Sequence, residues 1–195
     1  SEEQWESAIA TLEEGRRYMA DAPSMLERTD MALARCHRAM DDVEAERSDF
    51  RRLLKYHPQS IPGRLGLAST LLRDRQLDGA LAEYRQLSHL SQVRLLLCRL
   101  LIIQNLQLPE VAREWREVET LLEQSESAKD DPAQIVLLRA ELLAATEQME
   151  EARELLEAAR TTQADRLEFL IALARLAEQA GDKRQASLWM GQALA

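Results

Sequence analysis

The chain has 195 residues, of which 46% are hydrophobic and 30% charged, and its formal net charge is −9. This length suits one domain or a solenoid whose reach is set by repeat number, and the apolar content excludes a disordered chain. The negative charge argues against a sequence-independent grip on a phosphate backbone, so no nucleic-acid partner is expected.

Residues 1–98 carry 14 basic and 16 acidic side chains and residues 99–195 carry 11 and 18, so basic surface is expected towards the N-terminal half. Ala, Leu, Glu, Arg and Gln dominate and favour helix. Aromatic residues reach only 4% and β-branched residues are scarce, which leaves strands little to build from. An all-α fold follows. Apolar runs such as Leu100 to Ile103 are far too short to cross a bilayer, so no membrane insertion is expected.

In chain order, the apolar spacing predicts helices over 3–20, 24–39, 42–56, 61–74, 77–89, 92–106, 109–126, 132–146, 149–161, 165–180 and 183–194. Asp131 and Pro132 combine a capping acceptor with a proline in the first turn, where its missing N–H costs nothing. Pro23 and Pro109 mark two further starts, and Gly181 reads as a left-handed helix stop.

Self-similarity at a fixed period organises these helices. A shift of 34 positions places Leu33 and Ala34 on Leu67 and Ala68, Val43 on Leu77, and Phe50 on Tyr84. The same shift places Ala140 on Ala174, Ala152 on Ala186, and Ala159 on Ala193. Small residues in a first helix let its partner approach, and apolar residues in the second fill the facing groove. Between Ala80 and Ala152 the spacing is two periods plus four residues, close to one helical turn, which keeps the apolar face in phase. That extra turn is expected at Leu121 to Gln124, within the helix from Pro109 to Ser125.

The residues that repeat resemble the tetratricopeptide repeat family over nearly the whole chain. Asp30 to Ala34 is followed by Phe50 as the aromatic of a second helix and Pro58 as the terminator; Arg64 to Ala68 is followed by Ala80 and Tyr84; Leu170 to Ala174 is followed by Gly181, Asp182 and Ala186. Glu46 departs from the pattern where a small residue opens a second helix, and Gln92 departs where a proline closes a unit.

The resemblance implies a right-handed α-α superhelix, a single solenoid domain over 1–195. It would have a partial repeat at 1–22, repeats near 27–60, 61–94, 133–166 and 167–195, and an irregular one at 95–132. The helix from Gln4 to Gly15 resembles a second helix lacking its first, so a piece of a longer bacterial protein is expected. Ala68 and Ala174 are the positions of closest helix approach. Leu at either is expected to cost about 1–3 kcal/mol by overpacking, and melting temperatures equal to the parent's in both variants would refute the repeat phase.

Catalytic chemistry finds no foothold. His37, His57 and His89 are flanked by no HExxH or CxxC spacing, so no metal is expected. Cys36 and His37 point about 100° apart on a helix, and Cys36 and Cys98 read as small buried hydrophobes. Gly63 and Gly66 lack the Lys-Ser/Thr of a phosphate loop, so no cofactor is expected. Asp41-Asp42, Asp130-Asp131 and Glu150-Glu151 read as solvated carboxylates at helix starts, where the helix dipole favours them. Trp115 and Trp189 read as packing residues of second helices, with Trp5 and Trp189 the candidates for exposed contacts at open ends.

The resemblance further implies a concave groove lined by first helices. Mapped onto this chain it holds Arg35, Arg38, Ser69, Arg73, Arg99, Glu141, Gln148, Arg175 and Gln179. Arg35, Arg38, Arg73 and Arg99 are the expected partner-binding residues, a basic strip suited to an acidic peptide or protein. The family's carboxylate clamp of Lys and Asn does not fit, because Asn105 is the only Asn and the matching places hold Met31, Arg35 and Leu65. A non-enzymatic protein-binding scaffold is the expected function. A structural spacer or oligomerisation segment, self-associating through open ends, is the alternative.

Overall fold

The computed structural model describes residues 2–19, 21–163 and 166–194. Among these the elements are α1 (Glu2–Arg17), α2 (Pro23–Ala39), α3 (Val43–Tyr56), α4 (Ile61–Arg73), α5 (Leu77–Arg85), α6 (Ser91–Gln107), a 3-10 turn (Glu110–Ala112), α7 (Arg116–Ser127), α8 (Pro132–Ala145), α9 (Met149–Thr162), α10 (Leu167–Gln179) and α11 (Lys183–Ala193), with no strand among the described residues. The expected helix borders at 20 and 165 fall on residues outside that set.

The chain forms two compact units, one up to Ser88 and one from His89 onward. In the first, α1 to α5 pack each on the next, and α2/α3 and α4/α5 form the hairpins. In the second, α6/α7, α8/α9 and α10/α11 form three hairpins, and α8 lies between the first helices α6 and α10.

The 34-residue phase holds in the packing. Ala34, Ala68 and Ala174 are fully buried, as are Ala80 and Ala152 across the long interval, and Phe50 and Tyr84 fill equivalent interior places. Gly63 and Gly66 serve close approach. A Cβ on Gly66 would stand 2.2 Å from the Phe50 ring, and one on Gly63 2.4 Å from Leu53 Cδ2, so both glycines let α4 settle on α3. In the second unit Phe169, Leu173, Leu156 and Trp189 share one apolar core.

Five helices end alike. Asp41, Arg75, Lys129, Glu147 and Gly181 have φ between 57° and 79°. In each case the next residue's N–H reaches five residues back: Asp42 to His37 O, Gln76 to Leu71 O, Asp130 to Ser125 O, Gln148 to Leu143 O and Asp182 to Ala177 O, at 2.8–3.0 Å. This left-handed stop satisfies carbonyls at the helix end and turns the chain sharply into the next helix. Only Gly181 announces it in the sequence; the other four side chains tolerate the conformation at roughly 1–2 kcal/mol each. Asp42 and Asp182 then cap α3 and α11 by accepting from Ala45 N and Gln185 N, each at 2.9 Å, and Asp131 caps α8 as expected.

One expected helix is corrected. The segment 109–126 is not continuous, since a 3-10 turn and an extended Arg113 separate Pro109 from α7. The surplus therefore does not lie at Leu121 to Gln124. It lies in α6, which has 17 residues against 14 in α8 and 13 in α10, and in the connection that follows. Asn105 fixes that connection: its buried amide donates to Leu101 O at 3.0 Å and accepts from Glu114 N at 2.7 Å.

Candidate functional site

The second unit carries a groove of about 690 Å³ along α6, α8 and α10, with α9 contributing Met149 and Leu156. Ile103 and Leu106 come from α6 and Ile171 from α10. These three are between 37% and 48% exposed, although their side chains are apolar. Leu137, Ala140 and Leu176 form the floor. These three floor residues, from α8 and α10, also belong to the apolar core that includes Ala152 and Leu156 of α9.

Arg99, Glu141, Arg175 and Gln179, four of the nine residues mapped to a groove from the sequence, meet here. Arg99 Nε and Nη2 approach the Glu141 carboxylate at 3.3 and 3.2 Å. Arg175 is exposed and forms no ion pair among the described residues. Gln148 instead sits at the α8–α9 turn, where its amide donates to Thr146 Oγ1.

Arg35, Arg38, Ser69 and Arg73 belong to the first unit, and two of these arginines have a structural partner. Arg38 lies 2.6 Å from Glu46 Oε1 and Arg73 lies 2.8 Å from Glu46 Oε2. Glu46 is fully buried at the opening of α3, so a carboxylate occupies the place of a small residue and two guanidinium groups neutralise it. Arg35 is exposed and unpaired among the described residues.

Two further buried charge clusters were not read from the sequence. In the first unit Asp30 accepts from Arg16 Nε at 2.7 Å and Arg52 Nε at 2.9 Å, while Asp49 receives Arg52 Nη2 at 2.8 Å and meets His37 Nδ1 at 2.6 Å. Burial pushes the Asp49 carboxyl up, and His37 and Arg52 oppose that rise only in part. In the second unit Arg94 Nη2 lies 2.5 Å from Asp130 Oδ2, with Ser125 Oγ 3.0 Å from Arg94 Nε. Asp130 is thus a buried structural ion, correcting its reading as a solvated carboxylate. The paired charges stand 3, 12, 14, 22 and 36 residues apart, with no common spacing that could have announced them in the sequence.

Trp189 is buried beneath the Arg160 guanidinium, 5.1 Å above its ring, which removes it from the exposed candidates. Trp5 is exposed, and Trp115 stands half-buried at the start of α7 instead of within a helix. Cys98 is buried, and that burial pushes its thiol up to about 12, so it remains protonated near neutrality. Among the described residues no group of three His, Cys, Asp or Glu side chains is placed to hold a metal, and no helix is long and apolar enough to cross a membrane.

Successive α-hairpins, four of them turned by left-handed stops, with small residues recurring at 34-residue intervals, define a tetratricopeptide-type helical repeat fold. Solved structures agree. A tetratricopeptide repeat protein from Parabacteroides merdae is similar with a TM-score of 0.70 at 14% identity, over 96% of this chain and 79% of that one. The MamA protein is similar with a TM-score of 0.63 at 12% identity, over 88% and 91%. A thermophilic TPR protein of Thermus thermophilus has a TM-score of 0.54 at 23% identity, over 86% and 90%. No family model matches the sequence, and no curated protein matches it.

Proposed function

We propose that the chain is a protein-interaction module whose second unit takes a segment of a partner protein in the groove along α6, α8 and α10. The observation that carries this reading is the exposure of Ile103, Leu106 and Ile171 on one concave apolar surface. Each loses contact with water when a partner side chain covers it, at roughly 25 cal/mol for every Å² of apolar area. A preformed groove asks little reorganisation of the protein, so more of that gain appears as affinity.

Peptides selected on the full chain from a random display library test this. Leu106→Asp or Ile171→Asp is expected to weaken the selected peptides at least about tenfold, because a carboxylate there is stripped of water against apolar side chains. Glu154→Gln, on the exposed side of α9, is expected to leave binding unchanged. Peptides indifferent to both groove substitutions would overturn the reading. A chain that fails to select any peptide and whose mass in solution rises with concentration would favour the spacer or oligomerisation role instead.

A further inference from the structure

The groove holds a row of charges with one member left over. In each first helix of the second unit, the residue after the small core side chain faces the groove: Arg99 follows Cys98, Glu141 follows Ala140, and Arg175 follows Ala174. The row therefore reads positive, negative, positive across α6, α8 and α10. Glu141 gives both carboxylate oxygens to Arg99. The remaining groove carboxylate, Glu168, lies 3.9 Å from Arg166 Nη1. Arg175 is left with a full charge and no counter-ion among the described residues.

Its setting gives that charge a purpose. Arg175 stands one turn beyond Ile171 on α10, on the same face of the helix. A ligand that buries an apolar side chain against Ile171 passes within reach of the guanidinium. Beside an apolar surface a guanidinium–carboxylate pair is weakly screened and held by two parallel N–H···O bonds.

We infer that Arg175 selects the ligand of this groove by pairing with a carboxylate carried next to the ligand's buried apolar side chain, so the partner is an acidic, apolar protein segment. This rests on the groove reading above and adds a residue that discriminates among ligands. Arg99 does not share the role, because Glu141 already occupies its donor edge. The expectation of an acidic partner thus rests on Arg175, which was not among the four arginines singled out from the sequence.

The test uses the full chain and a display-selected peptide that carries one Asp or Glu, compared with the same peptide bearing Asn or Gln there. Loss of the peptide carboxylate is expected to weaken binding about tenfold, the scale of one charge-assisted pair. Arg175→Met is expected to weaken the acidic peptide equally, to leave the amide peptide unchanged, and to flatten the dependence of binding on NaCl concentration. Equal affinity for the two peptides on the unchanged protein would overturn the inference, and that comparison needs no folded variant. If Leu106→Asp abolishes binding while the two peptides remain equal, Arg175 loses its role and the groove keeps its own. If Leu106→Asp has no effect, the groove reading fails first.

Discussion

Replacing Arg38 and Arg73 together by Met is expected to destabilise the first unit by on the order of 3–5 kcal/mol, because it strands the Glu46 charge in the interior. Glu46 has no exposed surface, whereas the side chains of Arg38 and Arg73 are 46% and 34% exposed. The two sides of the pair are therefore unequal. An arginine that loses Glu46 turns to water at little cost, but Glu46 without its arginines has nowhere to turn. Adding Glu46→Met is expected to return the variant to within about 1 kcal/mol of the parent, since an apolar side chain of similar volume needs no partner. Urea unfolding of the parent, the double arginine variant, Glu46→Met alone and the triple variant measures the coupling. Simple additivity of the three changes would show that Glu46 and the arginines do not act as a unit.

The second large effect lies at Arg94 and Asp130, whose side chains are 8% and 5% exposed. Here both partners are buried, so either loss is severe. Arg94→Met or Asp130→Asn is expected to cost about 3–5 kcal/mol. Burial alone would raise the Asp130 carboxyl, but hydrogen bonds from Arg94, Ser91 and Ser125 together with the Arg94 charge outweigh it and hold the group below its ordinary 3.8. A carboxyl lowered in the folded state contributes stability that is complete above its unfolded value and is lost as pH falls through its folded one. Unfolding of the second unit is therefore expected to become easier as pH drops below 3.8, and Asp130→Asn is expected to remove that part of the acid dependence. Hydrogen exchange in α6 and α7 between pH 6 and pH 3 reports it; an unchanged acid profile in the variant would place the sensitivity elsewhere.

These clusters mark where sequence reasoning stopped. Helix number, helix order and the small-residue phase were legible because they depend on local periodicity: Leu33, Ala34, Leu67 and Ala68 repeat at one interval and are all buried. The break at Pro109 to Trp115 was not legible, because the apolar spacing continues through it while the backbone is held by the Asn105 side chain from α6. The left-handed stops at Asp41, Arg75, Lys129 and Glu147 carried no glycine to announce them.

The groove was legible in part. Of the residues that follow a small core position, Arg99, Glu141 and Arg175 line the groove of the second unit. Which charges pair was not legible, because Arg38, Arg73 and Arg99 meet their carboxylates through contacts between separate helices. Glu46 held the missing clue. A carboxylate where the pattern wants a small buried residue requires cations close by, and Arg38 and Arg73 supply them.

The most direct measurement is a crystal structure of the full chain with a display-selected acidic peptide bound. Peptide density is expected along α6, α8 and α10, with an apolar side chain against Ile171 and a carboxylate within hydrogen-bonding distance of Arg175. A peptide seated on the outer faces of α7, α9 or α11, with the groove empty, would contradict both assignments.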